Sequence, residues 1–470
     1  MFTDSLNAVA SATGGVLLQG NGTQPVRGVF TDTRQPVRGG LFLALKGDRF
    51  DGHDFLVAAR AGGAAGILVS QMESLSTMEM GECGVILVPD TRQAYLDLAR
   101  AYRLKLDHVR WFGITGSAGK TSVKGMLAHI LSCGAGWKVH CAEKSFNNDV
   151  GLPATVLGAD VTHRAVVLEL GTNHPGEIAR LADAARPHVA VLNNAGPSHL
   201  EAFGTVTRVA EEKGHIFDHL GAGDCAVLNA DDAHFEFWRV QLKGRVLTFG
   251  LRRDADVRAE AIDERPGVGV HFYLCIGTRA EEIQLRVPGR HNVRNALAAA
   301  AAARAAYAPV EAIRDGLCGY KGTERRFCAQ DVKGVLLIDD AYNASPLSFR
   351  AALETLQEFA GHRIFVIAGD MLELGERAVT YHEELGRWLA KTAPHGLFTV
   401  GELAGNAGRV AVAMGLAADA WSSCSTPEEA AERLRPQLQP GDVVLVKGSN
   451  GMKLNRCVKR LAEPELAKAS

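Results

Sequence analysis

No stretch of this 470-residue sequence is apolar and long enough to span a membrane. The Ala-rich run from Ala296 to Ala308 is interrupted by Arg304 and reads as a helix of high intrinsic propensity. The opening residues, Met1-Phe-Thr-Asp-Ser5, carry neither a basic region nor an apolar core of a secretory signal, so a cytoplasmic protein without membrane insertion is expected. The nine cysteines are odd in number, scattered and never in C-x-x-C spacing, which excludes a disulfide framework and a zinc site of that type. Charge of one sign is also lacking: Lys+Arg 51 stand against Asp+Glu 53, so nothing global favours nucleic acid or an anionic membrane. Phosphorylated ligands must be held by local groups. Internal repeats and low-complexity linkers are absent too. The remaining composition, 47% hydrophobic and 22% charged, is that of a globular protein too long for one core, so two or three domains are expected.

One stretch is unlike the rest. Val109 to Ile114 reads as a buried strand, Gly113, Gly116 and Gly119 make a glycine-rich turn, and Lys120-Thr-Ser122 opens a helix with Val123, Met126, Leu127, Ile130 and Leu131 as its apolar side. Strand, phosphate loop and helix follow in order. Glycines let backbone N–H groups turn inward around phosphate oxygens, and the helix N-terminus adds partial positive charge. In such a loop the lysine reaches the β/γ-phosphates and the threonine hydroxyl holds Mg²⁺. The strict spacing G-x-x-x-x-G-K-[ST] would need glycine at 114, where Ile114 stands. A nucleoside triphosphate is the expected ligand.

Three α/β units are expected around this stretch. Residues 1–108 alternate short strands (Val26–Phe30, Gly40–Leu45, Ala65–Val69, Val85–Val88) with helices after Asp51 and from Thr91 to Arg103. Their Thr31-Asp-Thr-Arg34 and Leu45-to-Phe55 stretches read as polar turns around Gly and Asp. Residues 109–325 alternate strands and helices as a mostly parallel sheet, with an antiparallel hairpin from Val268 to Val287. Glu169 and His199 fall at strand C-ends, where such sheets bind ligands, and together suggest a Mg²⁺ or phosphate site. Glu211-Glu-Lys213 reads, on residues alone, as a solvated charged helix face. Asn292 and Asn295 share one face of a helix start, either capping it or meeting an adenine edge. Residues 326–470 form a third α/β unit whose strands end in polar loops at Asp340–Pro346, Gly369–Glu376, Gly401-Glu402 and Lys447–Gly451. Lacking a phosphate loop, this unit is expected to face the nucleotide or a second substrate across a cleft.

These stretches resemble the Mur ligases, the ATP-dependent amide-forming enzymes of bacterial cell-wall precursor synthesis, over essentially the whole length. The central signatures are Gly113 to Ser122, Ser198-His-Leu-Glu-Ala-Phe-Gly204 and His291-Asn-Val-Arg-Asn-Ala-Leu-Ala-Ala299; the glycine spacing at 113 to 119 is what that family shows. Further matching stretches are Lys144 to Pro153, Leu168 to Ile178, Asp339 to Pro346 and Gly369 to Glu376. The resemblance implies a small mixed α/β UDP-binding domain (1–108), a central P-loop ATPase-type domain with a mostly parallel sheet (109–325) and a C-terminal Rossmann-like α/β domain (326–470). It implies that Gly116, Ser117, Ala118, Gly119, Lys120, Thr121 and Ser122 hold ATP phosphates. Thr121, Glu169 and His199 would hold Mg²⁺, and a carbamylated Lys213 a second Mg²⁺. Asn292 and Asn295 would meet adenine, Asp340 the ribose and Arg326 the γ-phosphate, with Lys120, His199, Lys213 and Arg326 as the catalytic set. The UDP side would comprise Asp32, Thr33, Arg34, Lys46, Asp51 and His53. Asn147 and Asn148 would touch a muramyl tripeptide, and Tyr342 and Asn343 complete the substrate set. Thr33 stands where serine is usual in the family, and Asn450 where arginine is expected.

The implied activity joins D-alanyl-D-alanine to UDP-N-acetylmuramoyl-tripeptide through an acyl phosphate, in a monomer needing ATP and Mg²⁺. The alternatives are the preceding ligase of the pathway, which adds the third amino acid, and a P-loop nucleotide switch without ligase chemistry. The Asp-Asn-Pro-Arg motif of the diaminopimelate-adding form does not occur here. Folylpolyglutamate synthase lacks a counterpart of residues 1–108.

Overall fold

The structure is a computed structural model that describes residues 2–47, 49–72, 81–142, 145–251, 254–265 and 269–463. Asp48, Lys144 and Val268, which fall in stretches singled out above, lie outside the described residues.

The phosphate-loop strand Arg110–Thr115 lies inside a nine-stranded sheet, third from one edge. On one side it pairs in parallel with Ala165–Glu169, and that strand with Val139–Cys141. On the other side lie Val189–Leu192, Cys225–Asn229, Arg245–Gly250 and Val257–Arg265, all parallel. The hairpin Gly269–Ile276 and Arg279–Leu285 then closes that edge antiparallel, as expected from its alternating pattern. Ala165–Glu169 and Val189–Leu192 are buried at every residue. That is why they read as unbroken apolar runs: both faces of a parallel strand are covered by helices. The helix Arg290–Ala305 covers one face. Ala296 and Ala298 to Ala303 are all buried in it, and their small side chains let this helix lie close against the helix Lys120–His129. The chain leaves the phosphate-loop strand toward one edge and later crosses to the other. A crevice therefore opens at the strand C-ends, where the order reverses.

The first part of the chain forms a five-stranded sheet in the order Val16–Gln19, Gly84–Leu87, Gly66–Val69, Leu41–Leu43, Val29–Phe30. Its core is not separate. Phe2, Leu6, Tyr95 and Tyr102 share one apolar cluster with Trp111, Leu152, Val156 and Leu181 of the central part. Tyr102 Oη donates to Ala159 O at 2.8 Å, and Arg103, itself buried, donates to Ala185 O at 3.2 Å. The helix Thr91–Leu104 thus welds the first sheet to the central one. The last part is a six-stranded sheet ordered Cys328–Val332, Val335–Asp340, Val443–Lys447, Ile364–Gly369, Gly396–Val400, Trp421–Cys424, parallel but for its first pair. It meets the central part through a patch in which Leu200, Phe203 and Val209 pack with Phe327, Phe349 and Leu374. No helix among the described residues is long and apolar enough to cross a membrane.

Candidate active site

Gly116 and Gly119 carry φ of +156° and +82°. A Cβ on Gly119 would stand 2.3 Å from Asn295 Oδ1 and 2.6 Å from Asn193 Nδ2, so only glycine fits. The loop is braced from behind. Asn194 Oδ1 accepts from Ala118 N at 2.9 Å, and Asn193 Nδ2 donates to Ala118 O at 2.9 Å. Ser117 Oγ donates to Gly196 O at 3.0 Å. The helix Lys120–His129 has no side-chain cap, which leaves its first N–H groups for a ligand. Lys120 Nζ donates to Gly116 O at 2.7 Å; burial lowers its ammonium below the ordinary value, opposed by the Glu169 carboxylate.

Glu169 closes its strand beside this helix and is only 3% exposed. Its Oε2 accepts from Thr121 Oγ1 at 3.0 Å, its Oε1 accepts from Asn147 Nδ2 at 2.9 Å, and Lys124 Nζ lies 3.9 Å away. The guanidinium of Arg326 reaches in from the third sheet's side and donates to Thr121 Oγ1 at 2.9 Å. It lies 3.7 Å above the Tyr342 ring. Burial lowers the Arg326 value and Glu169 opposes that. A hydroxyl beside a buried carboxylate is a pair of hard-oxygen donors of the kind Mg²⁺ takes, although among the described residues no three His, Cys, Asp or Glu side chains gather as a metal-holding group.

His199 sits at φ +51° ahead of the short helix Leu200–Phe203. Its Nδ1 lies 2.6 Å from Glu373 Oε2, a close contact without hydrogen-bond alignment. His199, first, holds the Glu373 carboxyl below its usual range, against burial. Asp340 accepts from Lys447 Nζ at 2.6 Å and from Phe327 N at 3.2 Å. Lys447, 1% exposed, also donates to Asn343 O at 3.2 Å.

These groups line one cleft of about 1170 Å³ with Ser117 to Ser122, Asn147, Asn148, Asn292, Asn295, Tyr342, Asn343 and Lys46. That exceeds the few hundred to about 1,000 Å³ of a single-ligand pocket, so the cleft has room for more than one substrate. Asn292 and Asn295 hydrogen-bond each other at 3.2 Å, and Asn295 accepts from Asn193 at 3.0 Å. Asn292 also donates to Pro288 O at 2.8 Å, but neither asparagine caps the helix Arg290–Ala305, which has no side-chain cap at its start. Both still border the cleft.

Seven expected residues do not line the cleft: Asp32, Thr33, Arg34, Asp51, His53, Gly116 and Lys213. Arg34 donates to Asp32 at 2.7 Å in an exposed turn and holds that carboxyl at about 2. Asp51 and His53 form a second network: Asp51 Oδ1 lies 2.6 Å from His53 Nδ1, and Ser70 N donates to His53 Nε2 at 3.0 Å. Gly116 braces Lys120 from behind the lining.

The reading of Glu211-Glu-Lys213 as a solvated face is corrected. Glu211 is exposed, but Glu212 is 5% and Lys213 1% exposed. Glu212 accepts from Gly176 N and Ile178 N at 2.8 Å each, capping the helix Glu177–Ala185. Burial, then the Lys120 charge, lowers Lys213 well below its ordinary value, with Glu212 opposing. A buried amine held toward its neutral form is a nucleophile rather than a surface charge.

Among the cleft residues without a role in the sequence reading are Arg92, Lys447, Glu373 and His291. Arg92 bridges Lys46 O at 3.0 Å and Asp149 at 2.9 Å, joining the first sheet's side to the central part. Its position in a first helical turn carries no motif. Lys447, Glu373 and His291 did stand in stretches singled out. His291 is pushed down to about 4 by burial, and its Nδ1 has no partner.

Residues 25–103 match the Mur ligase family, catalytic domain; 114–303 the Mur ligase middle domain; and 325–450 the Mur ligase, glutamate ligase domain. The chain is 40% identical over 362 residues to the UDP-N-acetylmuramoyl-tripeptide–D-alanyl-D-alanine ligase of Escherichia coli (strain K12), covering 76% of this chain and 77% of that one. A crystal structure of MurF from Acinetobacter baumannii superposes with a TM-score of 0.89 at 30% identity, over 99% of this chain and 100% of the other. MurF ligase from Thermotoga maritima in complex with ADP superposes at 0.82 and 29% identity, over 93% and 97%. With a phosphate loop, a cleft walled by three sheets and matches along its whole length, the chain belongs to the Mur ligase family.

Proposed function

We propose that this protein is the ligase that joins D-alanyl-D-alanine to UDP-N-acetylmuramoyl-tripeptide at the expense of ATP, giving the UDP-muramyl-pentapeptide, ADP and phosphate. The observation that carries this reading is the convergence of the phosphate loop with Arg326, Tyr342 and Lys447 from one side and Lys46 and Arg92 from the other on a single cleft. A nucleotide switch needs the first group only. In this reading 1–108 is the UDP-muramyl domain, 109–325 the ATP domain and 326–470 the domain that closes on ATP and takes the dipeptide, in a monomer.

A carboxylate and an amine do not condense in water, so the tripeptide carboxylate first takes the γ-phosphoryl group in line. The dipeptide amine then attacks the acyl carbon and phosphate leaves. The chain's share is positioning and charge neutralisation. Lys120 and the open N–H groups of its helix would cradle the phosphates. Arg326 would neutralise the group in transfer from the opposite wall. Thr121, Glu169 and His199 would hold Mg²⁺, which when bound supplies further neutralisation of the β/γ-phosphates. Lys213 would hold a second Mg²⁺ only after its neutral amine adds to CO₂ and loses a proton, giving a carbamate. A ¹³C carbamate resonance after growth or incubation in ¹³C-bicarbonate, absent in Lys213→Met, tests that step. Asn147 and Asn148 would face the tripeptide, and the adenosine would lie toward Asn292, Asn295 and Asp340.

The test of the function is mass spectrometry of incubations with ATP, Mg²⁺, UDP-MurNAc-tripeptide and D-Ala-D-Ala. Parallel tubes replace the dipeptide by single amino acids, and the tripeptide by its dipeptide precursor. Pentapeptide in the first tube alone, with ADP and phosphate in equal amounts, is the expected result. Amide only from the precursor and one amino acid, or ATP hydrolysis with no amide, overturns it.

A further inference from the structure

The stretch Gly369 to Glu376 is only partly explained by its own fold. Asp370 accepts from Ala404 N at 2.7 Å and so caps the helix Glu402–Ala413. Leu374 is 2% exposed and packs with Leu200 and Phe203. Glu373 has no such structural use for its side chain. Its backbone sits at φ +64°, a conformation costly for a residue with a Cβ, and its carboxylate turns into the cleft. There Oε2 stands 2.6 Å from Nδ1 of His199, a second residue in the left-handed region, at φ +51°.

We propose that Glu373 is a positioning residue for the metal site: its carboxylate accepts from Nδ1–H of His199, so that the Nε2 lone pair faces the cleft, and it does so only while the third domain is docked. The proposal rests on the reading of His199 as a Mg²⁺ ligand. Nε2 of His199 has no hydrogen-bond or ion-pair partner among the described residues, whereas Nδ1 has a carboxylate against it. A neutral imidazole offers a metal only the nitrogen without the proton, and the group bonded to the other nitrogen decides which one that is. Metal-bound histidines almost always give their second N–H to a carboxylate, carbonyl or water. Here the carboxylate comes from a different sheet than the histidine. The pair is close but outside hydrogen-bond alignment in this structure.

The docking itself does not depend on the carboxylate. Glu201 N donates to Glu373 O at 3.2 Å. Gly375 presses on Glu201 so closely that a Cβ there would be 3.0 Å from Glu201 Cα. Leu374 is held in the shared apolar cluster. Removing the side chain therefore removes the contact to His199 and leaves the interface.

The experiment uses the full chain with ADP and Mn²⁺ as a paramagnetic substitute for Mg²⁺. Mn²⁺ affinity is read by electron paramagnetic resonance titration, imidazole coordination by ¹⁴N modulation of the electron spin echo, and docking by small-angle X-ray scattering. Wild type is expected to show an imidazole modulation that His199→Ala removes. Glu373→Ala is expected to weaken Mn²⁺ by roughly 10–100-fold and to diminish the modulation, with unchanged scattering. Glu373→Gln, whose carbonyl still accepts from Nδ1–H without the charge, falls between. Unchanged affinity and modulation in Glu373→Ala overturn the proposal, as does weakened affinity with full modulation, which would make Glu373 a ligand itself. A loss that tracks an expanded particle overturns it in favour of a simple domain latch. If wild type shows no imidazole modulation, the assignment of His199 as a ligand fails first, and separately.

Discussion

Replacing Arg326 separates a catalytic role from a structural one by where the loss falls. Its guanidinium donates to Thr121 Oγ1 at 2.9 Å and, at a longer 3.4 Å, to Ser145 Oγ, and stacks 3.7 Å above Tyr342. If those contacts were all it contributed, Arg326→Ala would lose a hydrogen bond from a charged donor, about 1.5–3 kcal/mol, and the stacking, about 0.5–2 kcal/mol. At 1.36 kcal/mol per tenfold that is roughly 30- to 5,000-fold, and it would fall on ATP binding as well as on rate. An arginine that neutralises a phosphoryl group in transfer contributes about 10³–10⁵ in kcat alone. The ranges meet at about 10³, so the division of the loss between kcat and KM decides between them. The expected result for Arg326→Ala is a kcat lower by at least ~10³ with little change in the KM for the tripeptide, measured by coupled ADP release at saturating substrates. Arg326→Lys keeps a charge but loses the planar fork and the ring stacking, and is expected to recover little. Tyr342→Ala removes only the stacking, about 0.5–2 kcal/mol, and is expected to cost no more than ~30-fold. A kcat within ~10² of wild type in Arg326→Ala, with the loss in KM for ATP, would refute the reasoning and leave Arg326 as a brace of the cleft.

Lys213 gives a pH dependence of definite sign. Its value in the fold is lowered well below 10.5, so between that lowered value and 10.5 the unfolded chain holds one more proton and stability rises with pH. Lys213→Met is expected to be more stable than wild type at pH 7 by about 1–3 kcal/mol, to flatten this rise, and to lose ligation. Urea unfolding at pH 6 and 9 in CO₂-free buffer checks it, and parallel pH slopes in the two proteins would contradict it. Gly119→Ala places a methyl 2.3 Å from Asn295 Oδ1 at φ +82°; about 1–2 kcal/mol of conformational strain plus the clash should lower the melting temperature and abolish ATP binding by calorimetry. In the third domain, Asp340→Asn or Lys447→Met alone leaves one member of a 2.6 Å pair uncompensated, at about 3–5 kcal/mol each. The double variant should recover much of that, and simple additivity in denaturant unfolding would argue against coupling.

How much of this was legible in the sequence depended on whether a residue's surroundings are local. The phosphate loop was legible because strand, turn and helix are contiguous, and the glycine requirement at 119 is set by backbone torsion. The buried parallel strands Ala165–Glu169 and Gly396–Val400 were legible because burial on both faces leaves nothing polar to interrupt them. Cys328–Val332 was not, since it is an edge strand with three exposed residues out of five and its pattern resembles a loop. Lys213 shows the limit most clearly. Its neighbours Glu211 and Glu212 gave the signature of a solvated face, yet Glu212 spends both oxygens capping the helix Glu177–Ala185, a segment more than thirty residues away. That cap turns the face inward and takes Lys213 with it. The same holds across the cleft, where Arg326 and Glu373 meet groups of the central part over separations of more than a hundred residues. A strand-end position told which residues could face a ligand, but only the docking of the two sheets determined which pairs meet. A ligase needs that arrangement, because both carboxylate activation and amine attack must occur where neither wall alone excludes water.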